Sequence, residues 1–343
     1  MKICIFSKPF HPAVGGVEQI ALTLAHEFSY SNIDVEVVTE TKGDIQEDKD
    51  FPFRITRTSS FKERYSSFRR ADIVLFMNFT FAGVPAALLS RRAIVLSHHG
   101  IYNSKSSTKV KLLELVKRQL TRFFTNISVS KFVAENLPST SLVIPNAYND
   151  KLFTYEKNTR SKDFVFCGRL VDEKGATILL DAFEEVLKKY PGSTLTIIGG
   201  GPEHSVLLEK SQRISPVGNI IFLGVLRGEE LVDALKEHAC MVIPSLCEEA
   251  FGIVALEGIA SCDTVISSNK GGLPEAIDQC GTLVTPDAYN LTKAMLEVLQ
   301  SRQNGRKLPG EPELNIRSEH LAKHSAKQIV QKYITALRKA ANQ

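Results

Sequence analysis

The chain has 343 residues, of which 43% are apolar and 23% are charged, and its net charge is +4. This composition is typical of a globular protein with two α/β domains. It excludes membrane-spanning helices, since no apolar run approaches the roughly 20 residues they need. We expect no signal peptide, and the six scattered cysteines predict reduced thiols in a cytoplasmic protein.

Positive charge is concentrated in one part of the sequence. Residues 54–131 contain 15 lysines and arginines against three acids, a local net charge of +12, so the rest of the chain carries −8. A basic region of this size predicts an anionic partner, which is a membrane surface, a nucleic acid or a phosphorylated substrate.

Short β-branched segments alternate with amphipathic helical segments, which is typical of parallel sheets built from βαβ units. The strands predicted for the first half span residues 2–7, 34–40, 72–78, 93–99, 126–130 and 141–146. After a polar segment the pattern starts again, with strands predicted at 164–169, 194–200, 220–224, 240–245 and 263–268. We therefore expect two doubly wound domains with a ligand cleft between them, lined by the loops at the carboxyl ends of the strands.

The predicted domain boundaries follow from this restart. We expect one domain at 1–155, a second at 156–320, and a basic amphipathic helix within 321–343. That helix either caps the second domain or crosses back to the first.

The first glycine-rich segment, GGVE (15–18), follows the first strand and opens a helix. Glycines there let a diphosphate or sugar approach the backbone closely, although a Gly-Gly pair alone is more often a plain turn. The segment lacks the GxGxxG fingerprint, which argues against a dehydrogenase.

Two histidines end a predicted strand in SHHG (97–100). One of them could bond a sugar hydroxyl, whereas adjacent strand residues point to opposite faces and make a poor metal site. EDKD (47–50) contains an Asp-x-Asp pair, but no apolar strand precedes it, so we reject it as a metal site.

The segment 108–125 has apolar residues at helical spacing, and basic residues lie on its other faces. Such a helix either lies on an anionic membrane or packs on the core with a solvated basic face, and the surrounding charge favours the membrane. The basic residues of this predicted membrane surface are Lys109, Lys111, Lys117, Arg118 and Arg122.

Two cations follow a strand in FCGRLVDEKGATILLDAF (166–183), where Arg169 ends the strand and Lys174 precedes a predicted helix. Such a pair suits a diphosphate leaving group, whose charge grows as the sugar departs. The alternative is a strand-end arginine and a solvated loop lysine. In IIGGGPE (197–203) a simple turn is the favoured interpretation.

The segment PSLCEEAFGIVALE (244–257) places Glu249 and Glu257 on either side of a predicted helix start. The backbone N–H groups of the first helical turn between them have no intrahelical acceptor. The two acids and these donors can hold a ligand that carries both hydroxyl groups and phosphate.

Taken together, these segments resemble the retaining nucleotide-sugar glycosyltransferases of family 4, which have the two-domain, Rossmann-like GT-B fold. The resemblance extends to about residue 286 and includes VSKFV (129–133), VIPNAYNDKLF (143–153) and GGLPE (271–275). Two segments depart from the family pattern, IPNAYND (144–150) and GIASCDT (258–264), and we expect altered loop packing there.

The resemblance implies roles by position. Arg169 and Lys174 would hold the donor diphosphate, and Glu257 would bind the ribose hydroxyls. Glu249 and His99 would meet the donor sugar as catalytic residues. The other implied donor-binding residues act largely through their backbone and are Gly15, Gly16, Val225, Leu226, Phe251, Gly252, Ile253 and Val254.

The resemblance also implies an activity. We expect a hexose or N-acetylhexosamine to be transferred, with retention, from a UDP-sugar to a glycan or lipid-linked glycan, as in lipopolysaccharide or other envelope polysaccharide synthesis. Front-face attack is expected rather than a Glu249 nucleophile, with no metal, no further cofactor and no nucleic acid. The expected location is cytoplasmic, with peripheral binding to the inner face of the cell membrane. The alternatives are a GT-B-fold epimerase and a non-catalytic nucleic-acid binder.

Overall fold

The computed structural model describes residues 1–13, 15–44, 46–102, 108–215 and 218–342, without the side chains of residues 108 and 109. The chain divides into two compact units, one of Met1–Ala147 with His324–Gln343 and one of Tyr148–Lys323. The first segment of the first unit therefore ends at Ala147, before the predicted boundary at residue 155. The same unit also includes the helix near residue 330, which returns to it after the second unit. Within the described ranges, no helix has the length and apolar character needed to cross a bilayer.

The first unit is built on a parallel sheet of seven strands in the order β3-β2-β1-β4-β5-β6-β7. Its strands are β1 Lys2–Phe6, β2 Asp34–Thr39, β3 Arg54–Arg57, β4 Ile73–Met77, β5 Ala93–His98, β6 Thr125–Ser128 and β7 Leu142–Val143. Its helices are α1 Gly16–Tyr30, α2 Phe61–Arg70, α3 Val84–Ser90, α4 Thr108–Leu120, α5 Lys131–Glu135 and, from the end of the chain, α13 Ala326–Ala341.

Burial explains why the central strands form. All five residues of β4 are buried, as expected for a strand covered on both faces by helices. Helix α13 packs against α1, β4 and β5. Its buried residues follow a helical period along one side: Ala326, Ile329, Val330, Tyr333, Ile334, Leu337 and Ala340.

The second unit is built on a parallel sheet of six strands in the order β10-β9-β8-β11-β12-β13. Its strands are β8 Lys162–Cys167, β9 Leu195–Ile198, β10 Ile220–Gly224, β11 His238–Ile243, β12 Thr264–Ser268 and β13 Thr282–Val284. Its helices are α6 Ala176–Lys189, α7 His204–Ile214, α8 Gly228–Lys236, α9 Ile253–Ile259, α10 Leu273–Ile277, α11 Ala288–Gln303 and α12 Leu314–Lys323.

In both units the strand order reverses beside the first strand, between β1 and β4 and between β8 and β11. Ligands of doubly wound sheets bind outside the carboxyl ends of the strands at such a reversal. The two parallel-sheet units confirm the predicted Rossmann-like, GT-B class.

The predicted strands were wrong in two respects. Strands β3 and β13 were missed, because both are edge strands of three or four residues that remain half-exposed. Several predicted strands extended too far at the carboxyl end, where the chain leaves the sheet; of 141–146, only Leu142–Val143 pairs. All six cysteines are free thiols, as their spacing predicted.

Candidate functional site

Two loops meet at the strand-order reversal of the second unit, one after β8 and one after β11. Gly175 has a φ of +74°, and a Cβ there would lie 2.0 Å from the carbonyl oxygen of Pro244. The backbone N–H of Leu246 donates to the carbonyl of Glu173 over 2.9 Å. Glycine at position 175 thus lets the loop that carries Lys174 touch the loop that carries Glu249.

Lys174 and Glu249 form an ion pair through Lys174 Nζ and Glu249 Oε1. The hydroxyl of Ser245 donates to the same carboxylate oxygen over 2.9 Å. Both charged side chains are partly buried, so the pair is less screened than one on the open surface. Sequence reasoning brought the two residues to one site but did not predict the pair, and it missed Ser245.

Arg169 stands apart from this pair. Its side chain is 73% exposed and lies 3.5 Å from Glu173, an acid of the same loop. An exposed pair of this kind contributes little free energy, so the guanidinium remains free to bind another anion.

The start of α9 is held in place by the glycines of GGLPE. The N–H of Gly272 donates to the carbonyl of Glu249 over 2.7 Å. A Cβ on Gly271 would lie 2.3 Å from that same carbonyl oxygen, and one on Gly272 would lie 2.4 Å from the carbonyl oxygen of Ala250. These contacts explain why glycines are needed there.

Four of the eight residues predicted to bind the donor largely through their backbone lie at this helix start. Phe251 is buried, and Gly252 adopts a φ of +97° directly before the first helical residue. Ile253 and Val254 form the first turn of α9, where helical N–H groups have no acceptor of their own.

Glu257 lies one turn into α9, and its side chain is half-buried. Among the described residues its carboxylate has no hydrogen bond and no ion pair, and burial raises its pKa from 4.5 to about 7. The nearby thiol of Cys167 has its pKa raised to about 12 by burial and by this carboxylate. A partly desolvated acid that lacks donors favours a ligand that supplies them.

Val225 and Leu226, which were predicted to bind the donor largely through their backbone, follow β10 at the edge of the sheet. Val225 is 60% exposed, and Leu226 is half-buried. Val225 packs beside Gly200, where a Cβ would lie 3.0 Å from Val225 Cγ2. Val225 therefore lies next to the glycine-rich turn.

In the first unit, Gly15 and Gly16 lie at the start of α1. Gly15 has an extended backbone and provides no side-chain cap. A Cβ on Gly15 would lie 2.4 Å from the Glu18 carboxylate, whereas one on Gly16 would meet none of the described residues within 4 Å.

The two histidines of SHHG have different surroundings. His98 is buried, with Nδ1 2.8 Å from the Tyr102 hydroxyl and Nε2 2.9 Å from Asn126 Oδ1. Burial lowers its pKa to about 4, so it is a neutral structural residue.

The ring of His99 lies between Ser97 and Asn146. Its Nε2 lies 2.9 Å from Ser97 Oγ, while Nδ1 is buried and makes no well-formed hydrogen bond among the described residues. Burial, followed by the neighbouring His98, lowers the pKa of His99 to about 3, against a smaller opposing hydrogen bond with the Asn146 side chain. The ring is therefore neutral.

Two family models match the chain. The model described as Glycosyltransferase Family 4 matches residues 14–150, and that described as Glycosyl transferases group 1 matches residues 161–301. Between them they account for well over half of the chain. The chain belongs to the family 4, group 1 glycosyltransferases.

Curated relatives of this glycosyltransferase include two of different kinds. Glycogen synthase of Mycobacterium tuberculosis is 34% identical over 144 residues, which are 41% of this chain and 34% of the relative. One component of the human phosphatidylinositol N-acetylglucosaminyltransferase is 26% identical over 334 residues, 86% of this chain and 69% of the relative. For several relatives the chain covers less than half of their length.

A solved structure supports the fold of this glycosyltransferase. HepE of Anabaena, in complex with UDP-glucose, superposes with a TM-score of 0.81 at 18% identity, over 99% of this chain and 100% of that one. At this identity, the likeness establishes the GT-B architecture.

The basic helix of this glycosyltransferase, α4, exposes apolar side chains. Leu112 is 62% exposed and Leu115 is 50% exposed, and Leu113 and Val116 are exposed as well. Core packing was therefore the wrong alternative for most of this helix. Only at its end do Leu120 and the following Phe124 pack on the core.

The basic residues around α4 are not equally accessible. Lys111 and Arg122 are exposed, whereas Lys117 and Arg118 are half-buried. Lys117 Nζ lies 5.8 Å from the centre of the Phe81 ring. The side chain of Lys109 lies outside the described residues.

The acidic segment 47–50 has a structural role. Asp48 accepts two hydrogen bonds from Arg57, of 2.8 and 2.7 Å. Within the described ranges, no group of three or more His, Cys, Asp or Glu residues is arranged to hold a metal ion.

Proposed function

We propose that this glycosyltransferase moves a hexose or N-acetylhexosamine from a UDP-sugar to a glycan or lipid-linked glycan, with retention of configuration. The observation that carries the proposal is the arrangement at the reversal of the second sheet. There Lys174, in the loop before α6, forms a partly buried pair with Glu249, in the loop before α9, and α9 carries the unpartnered acid Glu257. The cations suit the diphosphate, the N–H groups of the first helical turn suit a phosphate, and the half-buried acid suits sugar hydroxyls.

The diphosphate gains negative charge as the bond to the sugar breaks. Lys174 Nζ, with the exposed guanidinium of Arg169, would stabilise this charge, and no step needs a covalent intermediate. Because Lys174 and Ser245 already bond one oxygen of Glu249, that carboxylate is a weak nucleophile. This supports attack of the acceptor on the face that the diphosphate leaves, with Glu249 orienting Lys174 and the donor sugar.

The relatives support the donor and acceptor classes. HepE was solved with UDP-glucose, and the human relative is named for N-acetylglucosamine transfer to phosphatidylinositol. A UDP-sugar donor and a lipid-linked acceptor, as in lipopolysaccharide or other envelope polysaccharide synthesis, are the corresponding proposals for this chain.

A thermal-shift screen against UDP-, GDP- and ADP-sugars tests the donor proposal. A ligand that binds only the folded state stabilises it by about 2.7 kcal/mol at 100 times its Kd, so we expect the melting temperature to rise with UDP-sugars. Conversion of a UDP-sugar to another sugar nucleotide without acceptor would instead identify an epimerase. No shift with any of the three nucleotide classes would overturn the proposed donor site.

We further propose that α4 binds an anionic membrane at its cytoplasmic face. Exposed Leu112 and Leu115 would enter the headgroup region, while Lys111 and Arg122 would meet anionic lipids. The local net charge of +12 between residues 54 and 131 would attract the protein to an anionic membrane before this contact forms.

Charge reversal tests the membrane surface. Lys111→Glu with Arg122→Glu should weaken binding to phosphatidylserine vesicles by about 10-fold or more, since each basic residue contributes about 1 kcal/mol near such a surface and each reversal adds repulsion. Cosedimentation measures the change. The matched control reverses two exposed lysines of the second unit, Lys189 and Lys293. Equal loss in both double variants, or no loss in either, would reject α4 as the contact.

A further inference from the structure

Three polar side chains, those of Tyr333 on α13, Ser97 and His99, contact one another in that order. Ser97 Oγ lies 2.7 Å from the Tyr333 hydroxyl and 2.9 Å from His99 Nε2. Ser97 is 0% exposed and Tyr333 is 1% exposed, so water does not compete for these contacts. Ser97 lies on β5, and Tyr333 lies on α13, which packs on that strand.

Counting the available hydrogen atoms shows which group donates and which accepts in each of these two hydrogen bonds. Among the described residues, Ser97 Oγ is the sole hydrogen-bond partner of the Tyr333 hydroxyl. A buried O–H without an acceptor is destabilising, so Tyr333 donates to Ser97 Oγ. The hydroxyl of Ser97 is then free to donate to His99 Nε2. The opposite direction would leave the Tyr333 O–H without an acceptor.

The direction determines which ring nitrogen carries the hydrogen. The His99 ring is neutral, because burial lowers its pKa to about 3. A neutral imidazole that accepts at Nε2 carries its hydrogen on Nδ1. Nδ1 makes no well-formed hydrogen bond among the described residues, and the Asn146 side chain is the hydrogen-bonding group that opposes the lowering of the ring's pKa. The Oδ1 of the buried Asn146 is an acceptor, which suits a hydrogen on Nδ1.

The backbone of His99 is fixed as well. Its N–H donates to Asn78 Oδ1 over 2.7 Å, and the N–H of Asn78 donates to the carbonyl of Ser97 over 2.8 Å. Asn78 has a φ of +66°, a conformation that asparagine tolerates better than most residues. The ring is therefore held from both its backbone and its Nε2 side.

We propose that Ser97 and Tyr333 are positioning residues that keep His99 in the Nδ1–H form, so that its ring is held in one orientation where it would meet the bound donor sugar. This inference rests on the proposed function for the role of His99. The tautomer itself is a property of the first unit and can be measured without any substrate.

The test combines ¹⁵N NMR of histidine-labelled protein with kinetics. The His99→Gln spectrum assigns the His99 signals, and we expect a protonated Nδ1 and an unprotonated Nε2 in the wild type. Tyr333→Phe removes the first donor, so Ser97 can accept from the ring and the hydrogen should move partly to Nε2. We expect kcat about tenfold lower and KM for the nucleotide-sugar changed less than about threefold, as for other partners that orient a histidine.

Ser97→Ala is the second variant and should change the same ¹⁵N signals, which covers the case that Tyr333→Phe does not fold. Tyr289→Phe removes a hydroxyl from a 77% exposed side chain and should leave both the spectrum and kcat unchanged. Hydrogen on Nε2 in the wild type, or unchanged ¹⁵N signals or kcat in the variants, would overturn the inference. A wild type that shows the Nδ1–H form but transfers no sugar would overturn the proposed function instead.

Discussion

Lys174→Ala should lower the kcat of sugar transfer about 10³-fold, since removing a preorganised group that stabilises transition-state charge costs about that much. The residue lies partly buried against Glu249, at the contact that Gly175 makes possible. Glu249→Ala should cause a loss of similar size, because it leaves the lysine without the partner that orients it. Steady-state kinetics with a radiolabelled donor measures both.

The double variant separates a functional pair from two independent residues. If Lys174 and Glu249 act together, the double change costs little more than either single change. The pair is partly exposed, so the free energy of unfolding should change by only about 1 kcal/mol. Lys189→Ala, an exposed lysine of the same unit, is the control. Wild-type turnover in both single variants would refute the assignment of the site.

Glu257→Gln should stabilise the ligand-free protein above neutral pH and weaken donor binding. Burial raises the pKa of Glu257 from 4.5 to about 7, so the folded protein holds a proton there that the unfolded chain releases. As pH rises from 4.5 to 7, the wild type loses stability relative to the variant. The difference should reach about 3 kcal/mol above pH 7 and vanish below pH 4.5.

Thermal melting between pH 5 and pH 9 measures this difference, with Glu319→Gln, an exposed acid of the same unit, as the control. Ribose hydroxyls would supply the donors that the Glu257 carboxylate lacks. UDP affinity of the wild type should therefore rise with pH up to about 7, and the variant should bind about tenfold more weakly there. A Glu257→Gln protein with the same pH profile as the wild type would contradict the unpartnered state of this acid.

The fold could be predicted because the sequences of its central strands are themselves typical of buried strands. Strand β4 is a continuous apolar segment, and such a segment between helical patterns is typical of a buried parallel strand. The edge strands β3 and β13 carry no such signal, because one or both of their faces remain in contact with solvent. Their pairing depends on a neighbouring strand that local sequence does not reveal.

The sequence predicted which residues belong to the site but not which of them contact each other. Lys174 and Glu249 were recognised from motifs, but their ion pair joins residues 75 positions apart through the contact of Gly175 with Pro244. The bond between Ser97 and Tyr333 spans 236 positions. Periodicity and spacing report on neighbours along the chain, whereas these contacts depend on which helix covers which strand.

The placement of α13 has a consequence for biosynthesis. The second unit is continuous in sequence and interrupts the first, whose core is completed only by residues 326–341. During translation the second unit can fold while the first still exposes the faces of α1 and β5 that α13 will cover. Helix α13 thus leaves the ribosome after the whole second unit and completes a domain whose first seven strands were synthesised before that unit.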